Sequence, residues 1–202
     1  MNSMDAETES LRECPLCSST SWRMLPEPGH WIGSEVFCDL SGKIGLVKCR
    51  GCGLVFITPR PSRAKLSAFY SGDTYSCHEF AGSASSGKKA DYIMQRVAEC
   101  LSPSTPTTLL DYGAGGGGFL TYARNRGWQV QGFEPGKRGL ESCRSAGLEV
   151  TDKLTELPSG AFGLITLHAV FEHLANPTEV LDEIRRFLAP DGRLYIEVPN
   201  VR

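Results

Sequence analysis

The segment Asp111-Tyr-Gly-Ala-Gly-Gly-Gly-Gly-Phe119 constrains the fold more than any other stretch. It follows the apolar run Thr107–Tyr112, which reads as a buried strand, and it opens Gly118–Asn125, which reads as a helix. Glycines at such a junction permit a tight turn and let other atoms approach the backbone closely. The rest of the C-terminal half repeats the theme. Gln129–Glu134 reads as a strand, Gly136–Ala146 as a helix, Leu148–Thr151 as a short strand and Phe162–His168 as a longer one. Asn176–Leu188 carries full helix punctuation: Asn176 as N-cap, Pro177 in the first turn and Glu179 three residues after the cap. Its apolar face is Val180, Leu181, Ile184, Phe187 and Leu188, and Pro190 and Gly192 stop it. Leu194–Val198 is the last strand. Ahead of the series, Ile93, Val97 and Leu101 recur at helical spacing within Lys89–Leu101. Strands alternating with helices predict an α/β fold, a Rossmann-like, mostly parallel sheet with helices on both faces.

The N-terminal part is different. Cys14-Pro-Leu-Cys17 and Cys49-Arg-Gly-Cys52 are two C-x-x-C pairs separated by 31 residues. Each pair presents two thiolates to one tetrahedral ion, and two pairs complete a four-sulfur site. Gly53 follows the second pair and Ser18 the first. Strand-like runs at Ile44–Lys48 and Leu54–Ile57 place the second pair at a hairpin tip, as in a zinc ribbon. A closed four-cysteine site predicts structural Zn2+ held by Cys14, Cys17, Cys49 and Cys52. His30 and Cys38 lie between the pairs and are alternative ligands. A disulfide framework and a thioredoxin-like redox pair lack an export signal and a strand–helix context, respectively. Cys38, Cys77, Cys100 and Cys143 read as packed small residues. Pro59-Arg60-Pro61 ends the hairpin, Ser62 caps a helix through Tyr70, and the small residues 81–88 read as a flexible linker. The expected layout is residues 1–80 as a zinc-ribbon module with a connecting helix, 81–88 as linker, and 89–202 as the α/β domain.

Composition narrows the class. Of 202 residues, 41% are hydrophobic and 22% charged, and the formal net charge is −2, which predicts an ordinary globular chain with no basic face for nucleic acid. No apolar run reaches the roughly 20 residues that span a bilayer. The N-terminus is polar and acidic, without a basic region followed by an apolar core, so a cytoplasmic protein is expected.

The glycine turn also matches G-x-G-x-x-G through Gly113, Gly115 and Gly118, so a nicotinamide dinucleotide is one candidate ligand. Glu134 ends the next strand, 21 residues after Gly113, where an acid accepts ribose hydroxyls. That serves NAD and S-adenosylmethionine equally. Asp111 discriminates. A carboxylate beside a pyrophosphate is unfavourable, whereas one beside an ammonium and a sulfonium is not, and this tips the choice toward S-adenosylmethionine.

The run from about Lys89 to the C-terminus resembles class I S-adenosylmethionine-dependent methyltransferases. The resemblance rests on Leu110–Phe119, Gly132-Phe-Glu134-Pro135, Phe162–His168, Phe171-Glu172-His173-Leu174 and Leu188–Asn200. The segment ending Cys-x-x-Cys-Gly-Leu-Val-Phe, followed by Pro-Arg-Pro and a Phe-Tyr…Tyr pair, resembles the leader of a bacterial subgroup linked to saccharide or secondary-metabolite modification. The resemblance implies that Asp111, Gly113, Ala114, Gly115, Gly117 and Phe119 line the cofactor's methionine and ribose part. By the same resemblance Glu134 holds the ribose, Pro135 flanks the adenine, and His168 and Val170 lie near the transferred methyl group. Thr155 and Glu156 are candidates for the adenine amine. Gly163 stands where the family often has aspartate, a departure expected to weaken local packing.

Methyl transfer needs positioning and, for a poor nucleophile, a base. His173 or His168 is expected as base or substrate orienter, with Glu172 in support. Alternatively, Glu172-His173-Leu174 fixes the loop by hydrogen bonds. Tyr70, Tyr75 and His78 face substrate or form an apolar flap edge, and Trp22, Trp31 and Trp128 read as packing residues. The expected partner is a small-molecule methyl acceptor. The alternatives are an NAD(P)-dependent oxidoreductase and a non-catalytic zinc-ribbon module with a degenerate methyltransferase domain. The resemblance also implies two strands beyond Leu194–Val198. The expectation is therefore a sheet incomplete at its C-terminal end, with an open edge for a second chain to cover.

Overall fold

The computed structural model describes residues 8–26, 45–71 and 84–199. The chain divides into two compact units, residues 1–70 with 175–178, and residues 71–174 with 179–202. Trp31, Tyr75, His78, His30, Cys38 and Cys77 lie outside the described residues, as does most of the insert between the cysteine pairs.

The first unit holds short antiparallel strands. β1 (Thr8–Glu9) pairs with β5 (Arg60–Pro61), while β2 (Trp22–Met24), β3 (Leu46–Cys49) and β4 (Val55–Ile57) form a three-stranded sheet in that order. Val47 is fully buried at its centre, and Trp22 packs edge-on to Phe56 with ring centroids 5.7 Å apart. Arg60 ties β5 to Glu9 of β1 through an ion pair of 2.6 Å. The helix α1 (Arg63–Ser71) starts where Ser62 Oγ accepts a hydrogen bond from the Lys65 amide, the expected cap.

The second unit is a five-stranded sheet made of β6 (Thr108–Tyr112), β7 (Gln129–Phe133), β8 (Val150–Thr151), β9 (Phe162–His168) and β10 (Leu188–Glu197). The strands run in the order β10-β9-β6-β7-β8, and every pairing is parallel. α2 (Ala84–Ala98), α3 (Gly118–Arg124), α4 (Lys137–Ser145) and α5 (Pro177–Phe187) are its helices. Strand periodicity splits the core in two. Leu109 and Leu164 point to the side packed by Ala90, Ile93, Val97, Phe119, Leu120 and Cys143. Leu110, Ile165 and Leu167 point the other way, toward Ile184 and Phe187 of α5.

Three differences from the sequence reading have physical causes. α2 begins at Ala84, so Ala84–Lys88 of the expected linker are helical. The buried Ala90, Ile93 and Val97 anchor the helix, and extending a formed helix by a turn costs little. β10 begins at Leu188 rather than Leu194. Leu188 pairs with Phe162, the register shifts, and pairing resumes at Arg193 opposite Leu164. Pro190-Asp-Gly192 therefore bulges from the strand instead of preceding it. Finally, Gly163 does not loosen the packing. A Cβ there would lie 1.8 Å from the Pro106 carbonyl oxygen, so the absence of a side chain lets β9 close on that segment.

Candidate functional site

The site forms at the carboxyl end of the parallel strands, where ligands bind in open α/β sheets. Asp111 and Thr166 share one side of the sheet by strand alternation, with His168 two residues beyond Thr166 on the same side. The pairing of β10 with β9 sets Glu197 directly beside His168 and Tyr195 beside Thr166. Phe119, at the start of α3, closes the group from the turn.

Asp111 is 3% exposed, and its Oδ1 accepts a hydrogen bond of 2.8 Å from Thr166 Oγ1. Burial pushes its carboxyl up to about 7, against the pull of that hydrogen bond, and the nearby charge of Glu134 adds to the rise. His168 Nε2 lies 3.9 Å from Asp111 Oδ1, and Nδ1 lies 3.8 Å from Glu197 Oε2. Its ring sits between Phe119, with centroids 4.4 Å apart, and Tyr195, 5.6 Å away. Burial lowers its pKa to about 4, in spite of Glu197, so the imidazole is neutral near pH 7.

The glycine turn is held through its backbone amides, mostly to groups outside it. Gly113 and Ala114 both donate to the Phe133 carbonyl, at 2.7 and 3.0 Å. Gly115 donates to Glu134 Oε2 at 2.7 Å, and Gly117 donates to the Ala114 carbonyl at 2.9 Å. Glu134 Oε1 accepts a second amide hydrogen, from Gly136, at 2.7 Å. Burial raises the Glu134 pKa while these amide bonds oppose the rise. Gly113 and Gly117 have φ of +85° and +80°. A Cβ would lie 2.5 Å from Val170 Cγ2 at the first and 2.4 Å from Leu148 Cδ1 at the second. Both positions therefore admit no side chain, whatever else the turn meets.

Other expected site residues fall in different places. Val170 covers the turn at Gly113. It is swung there by Ala169, a non-glycine residue at φ +52° whose amide donates to the Glu197 carbonyl at 3.0 Å. Pro135 is exposed beside Glu134. Glu172 and His173 lie in the 3-10 turn Phe171–His173, with His173 Nε2 4.0 Å from Glu172 Oε1. Both are more exposed than His168. Burial raises the pKa of Glu172 and lowers that of His173. Glu156 accepts hydrogen bonds from Thr151 and Lys153, which fasten the loop after β8 and hold its pKa below the ordinary value. Trp128 packs against the core, as expected. Cys143 is buried, but Cys100 is exposed, contrary to its reading as a packed residue. Cys100 follows the end of α2, where the helix face that is buried through Val97 turns outward.

Sequence reasoning missed Glu197, Thr166, Ala169 and Lys89. Lys89 Nζ pairs with Glu197 Oε1 at 2.6 Å. The alternation Tyr195, Glu197 at the end of a strand was the available signal, but only the register with β9 shows what it faces.

In the first unit the four expected cysteines converge, with all four sulfurs within 4.8 Å of one another. Cys14 Sγ is 3.7 Å from Cys52 Sγ, and Cys17 Sγ is 3.6 Å from Cys49 Sγ. A tetrahedral zinc with bonds of about 2.3 Å has sulfur–sulfur edges of about 3.8 Å. The two pairs share one turn. Ser18 N–H donates to Cys14 O and Gly53 N–H to Cys49 O, at 2.9 and 3.2 Å, and both residues have positive φ, +55° and +80°. The cluster thus has the spacing and chemistry of a structural zinc site.

Comparison with known proteins agrees with this geometry. Residues 85–202 match the family described as "Methyltransferase domain". The ubiquinone biosynthesis O-methyltransferase of Vibrio cholerae serotype O1 is 28% identical over 102 residues, 46% of this chain and 42% of that protein. The C-methyltransferase NovU of Streptomyces niveus is 24% identical over 210 residues, 94% of this chain and 47% of that protein. Among solved structures, the PH0226 protein of Pyrococcus horikoshii OT3 superposes with a TM-score of 0.50 at 16% identity, over 61% of this chain and 62% of that one, a likeness of fold. The chain spans about half the length of the curated relatives it matches. With the family model covering more than half of its residues, the chain belongs to the methyltransferase-domain family.

Proposed function

We propose that the chain binds S-adenosylmethionine and directs methyl transfer onto a small molecule of the saccharide or secondary-metabolite kind, with structural zinc in its N-terminal unit. One observation carries the reading: two buried carboxylates, Asp111 and Glu134, flank a glycine turn whose Gly113, Ala114, Gly115 and Gly117 amides are all committed inside the protein. A pyrophosphate needs such amides free and no anion nearby. The carboxylates suit instead a ligand with an ammonium group and a ribose diol. Each Glu134 oxygen keeps a lone pair after accepting one amide hydrogen, which leaves capacity for two hydroxyls.

When bound, S-adenosylmethionine supplies an electrophilic methyl group on a sulfonium centre. The chain's own residues bind and orient. Asp111 accepts from the amino group, Glu134 from the diol, and Phe119 and Val170 wall the turn. His168 is too weak a base at neutral pH to hold a proton, so its role is orientation. His173, more exposed at the rim, is the better candidate for removing a proton from an acceptor, with Glu172 beside it. The small-molecule acceptor draws support from the C-methyltransferase whose alignment covers 94% of this chain.

Calorimetric titration of the zinc-loaded protein with S-adenosylmethionine, S-adenosylhomocysteine and NAD tests this. Binding of the first two and not of NAD is expected. Tight NAD binding without S-adenosylmethionine binding overturns the reading, and binding of neither favours a non-catalytic domain.

A further inference from the structure

Four charged or titratable groups form a line through the second unit: Lys89 on α2, Glu197 at the end of β10, His168 at the end of β9 and Asp111 at the end of β6. The contacts are 2.6 Å from Lys89 Nζ to Glu197 Oε1, 3.8 Å from Glu197 Oε2 to His168 Nδ1, and 3.9 Å from His168 Nε2 to Asp111 Oδ1. The His168 ring is 8% exposed and flanked by the tilted rings of Phe119 and Tyr195, so burial restricts its turning. A neutral imidazole has one N–H and one lone pair, and its neighbours choose which nitrogen carries which. Here one carboxylate lies near each nitrogen, at 3.8 and 3.9 Å, beyond hydrogen-bond length, so each biases the proton by its charge. Glu197 has Lys89 to hold it in place, while Asp111 already accepts from Thr166.

We infer that Glu197, clamped by Lys89, is a positioning residue that draws the His168 proton to Nδ1 and thereby turns the Nε2 lone pair toward Asp111. The consequence follows from the opposite case. With the proton on Nε2, His168 would donate to Asp111 and compete for that carboxylate with an incoming ligand. With the proton on Nδ1, His168 and Asp111 in its ionised form present two acceptors side by side, an arrangement that favours an alkylammonium donor. Glu197 would thus set amino-group recognition from a distance, through a ring it orients. This rests on the assignment of Asp111 to a ligand amino group.

Long-range 1H–15N correlation on the ligand-free, zinc-loaded chain reads the His168 tautomer directly. The wild type is expected to show Nδ1–H near pH 7, and Glu197→Leu to show Nε2–H. Glu197→Gln, whose amide oxygen still accepts, should retain the wild-type tautomer, and Lys89→Met should shift it part of the way. By calorimetry, Glu197→Leu should bind S-adenosylhomocysteine about tenfold more weakly, with most of the loss restored in Glu197→Gln. A wild type protonated at Nε2, or ring shifts unmoved by Glu197→Leu in a folded sample, overturns the inference. If the wild type binds no S-adenosylhomocysteine, the cofactor reading fails, whereas the ring shifts, taken without ligand, still decide the role of Glu197.

Discussion

Asp111 and His168 bear opposite consequences of the same burial. Asp111 keeps its proton up to about pH 7 in the fold, against 3.8 when exposed. The native state thus binds more protons than the unfolded one between those values, and stability falls as pH rises through that window. His168 titrates at about 4 in the fold, against 6.5 when exposed. The native state then binds fewer protons, and stability falls as pH drops from 6.5 toward 4. The two effects oppose each other in the overlap, so wild-type stability should vary weakly there. Asp111→Asn should remove the loss at the upper end, on the order of 2–4 kcal/mol at pH 8. His168→Gln should remove the loss at the acid end. Urea unfolding of both variants between pH 4 and 8 checks the signs, and Asn at 111 should also weaken S-adenosylhomocysteine binding.

At the level of elements, the C-terminal half was legible because its strands and helices alternate without interruption. Phe162–His168 reads and folds as the same strand, and Pro177 opens α5 as its proline suggested. What could not be read depends on approach distances. The Gly163 backbone contact with Pro106 and the bulge at Pro190–Gly192 are set by neighbouring strands, and one sequence does not contain that register. The close approach at Gly163 gives a firm expectation. Gly163→Ala places a methyl group inside contact distance of a carbonyl and should cost about 1–3 kcal/mol, read as a lower urea midpoint with an unchanged slope. The site was half legible. Asp111, Glu134 and the four cysteines announce themselves by spacing. Glu197 and Ala169 do not, because the first acts through a neighbouring strand and the second through a backbone angle that alanine seldom adopts.

At the scale of the whole molecule, the chain joins a metal-type cysteine cluster to a methyltransferase domain, and one curated relative aligns across both. No helix among the described residues is long and apolar enough to cross a membrane. Among its described residues the first unit has short strands and little apolar core beyond Val47, so its order should depend on the ion. Metal analysis should give about one zinc per chain. A strong chelator should abolish the near-ultraviolet signal of Trp22, and readded zinc should restore it. A folded, metal-free first unit would show that the cysteine cluster does not need zinc.

The glycine turn, tied by its amides to the end of β7, has a wider meaning. Glycine-rich loops are usually pictured as supple, closing on a ligand as it arrives. In this turn four amides are already bonded, and Leu148 and Val170 press on its left-handed glycines. Its disorder was surrendered when the domain folded, long before any ligand came. The turn is a mould rather than a hand, and what it binds meets a shape already set.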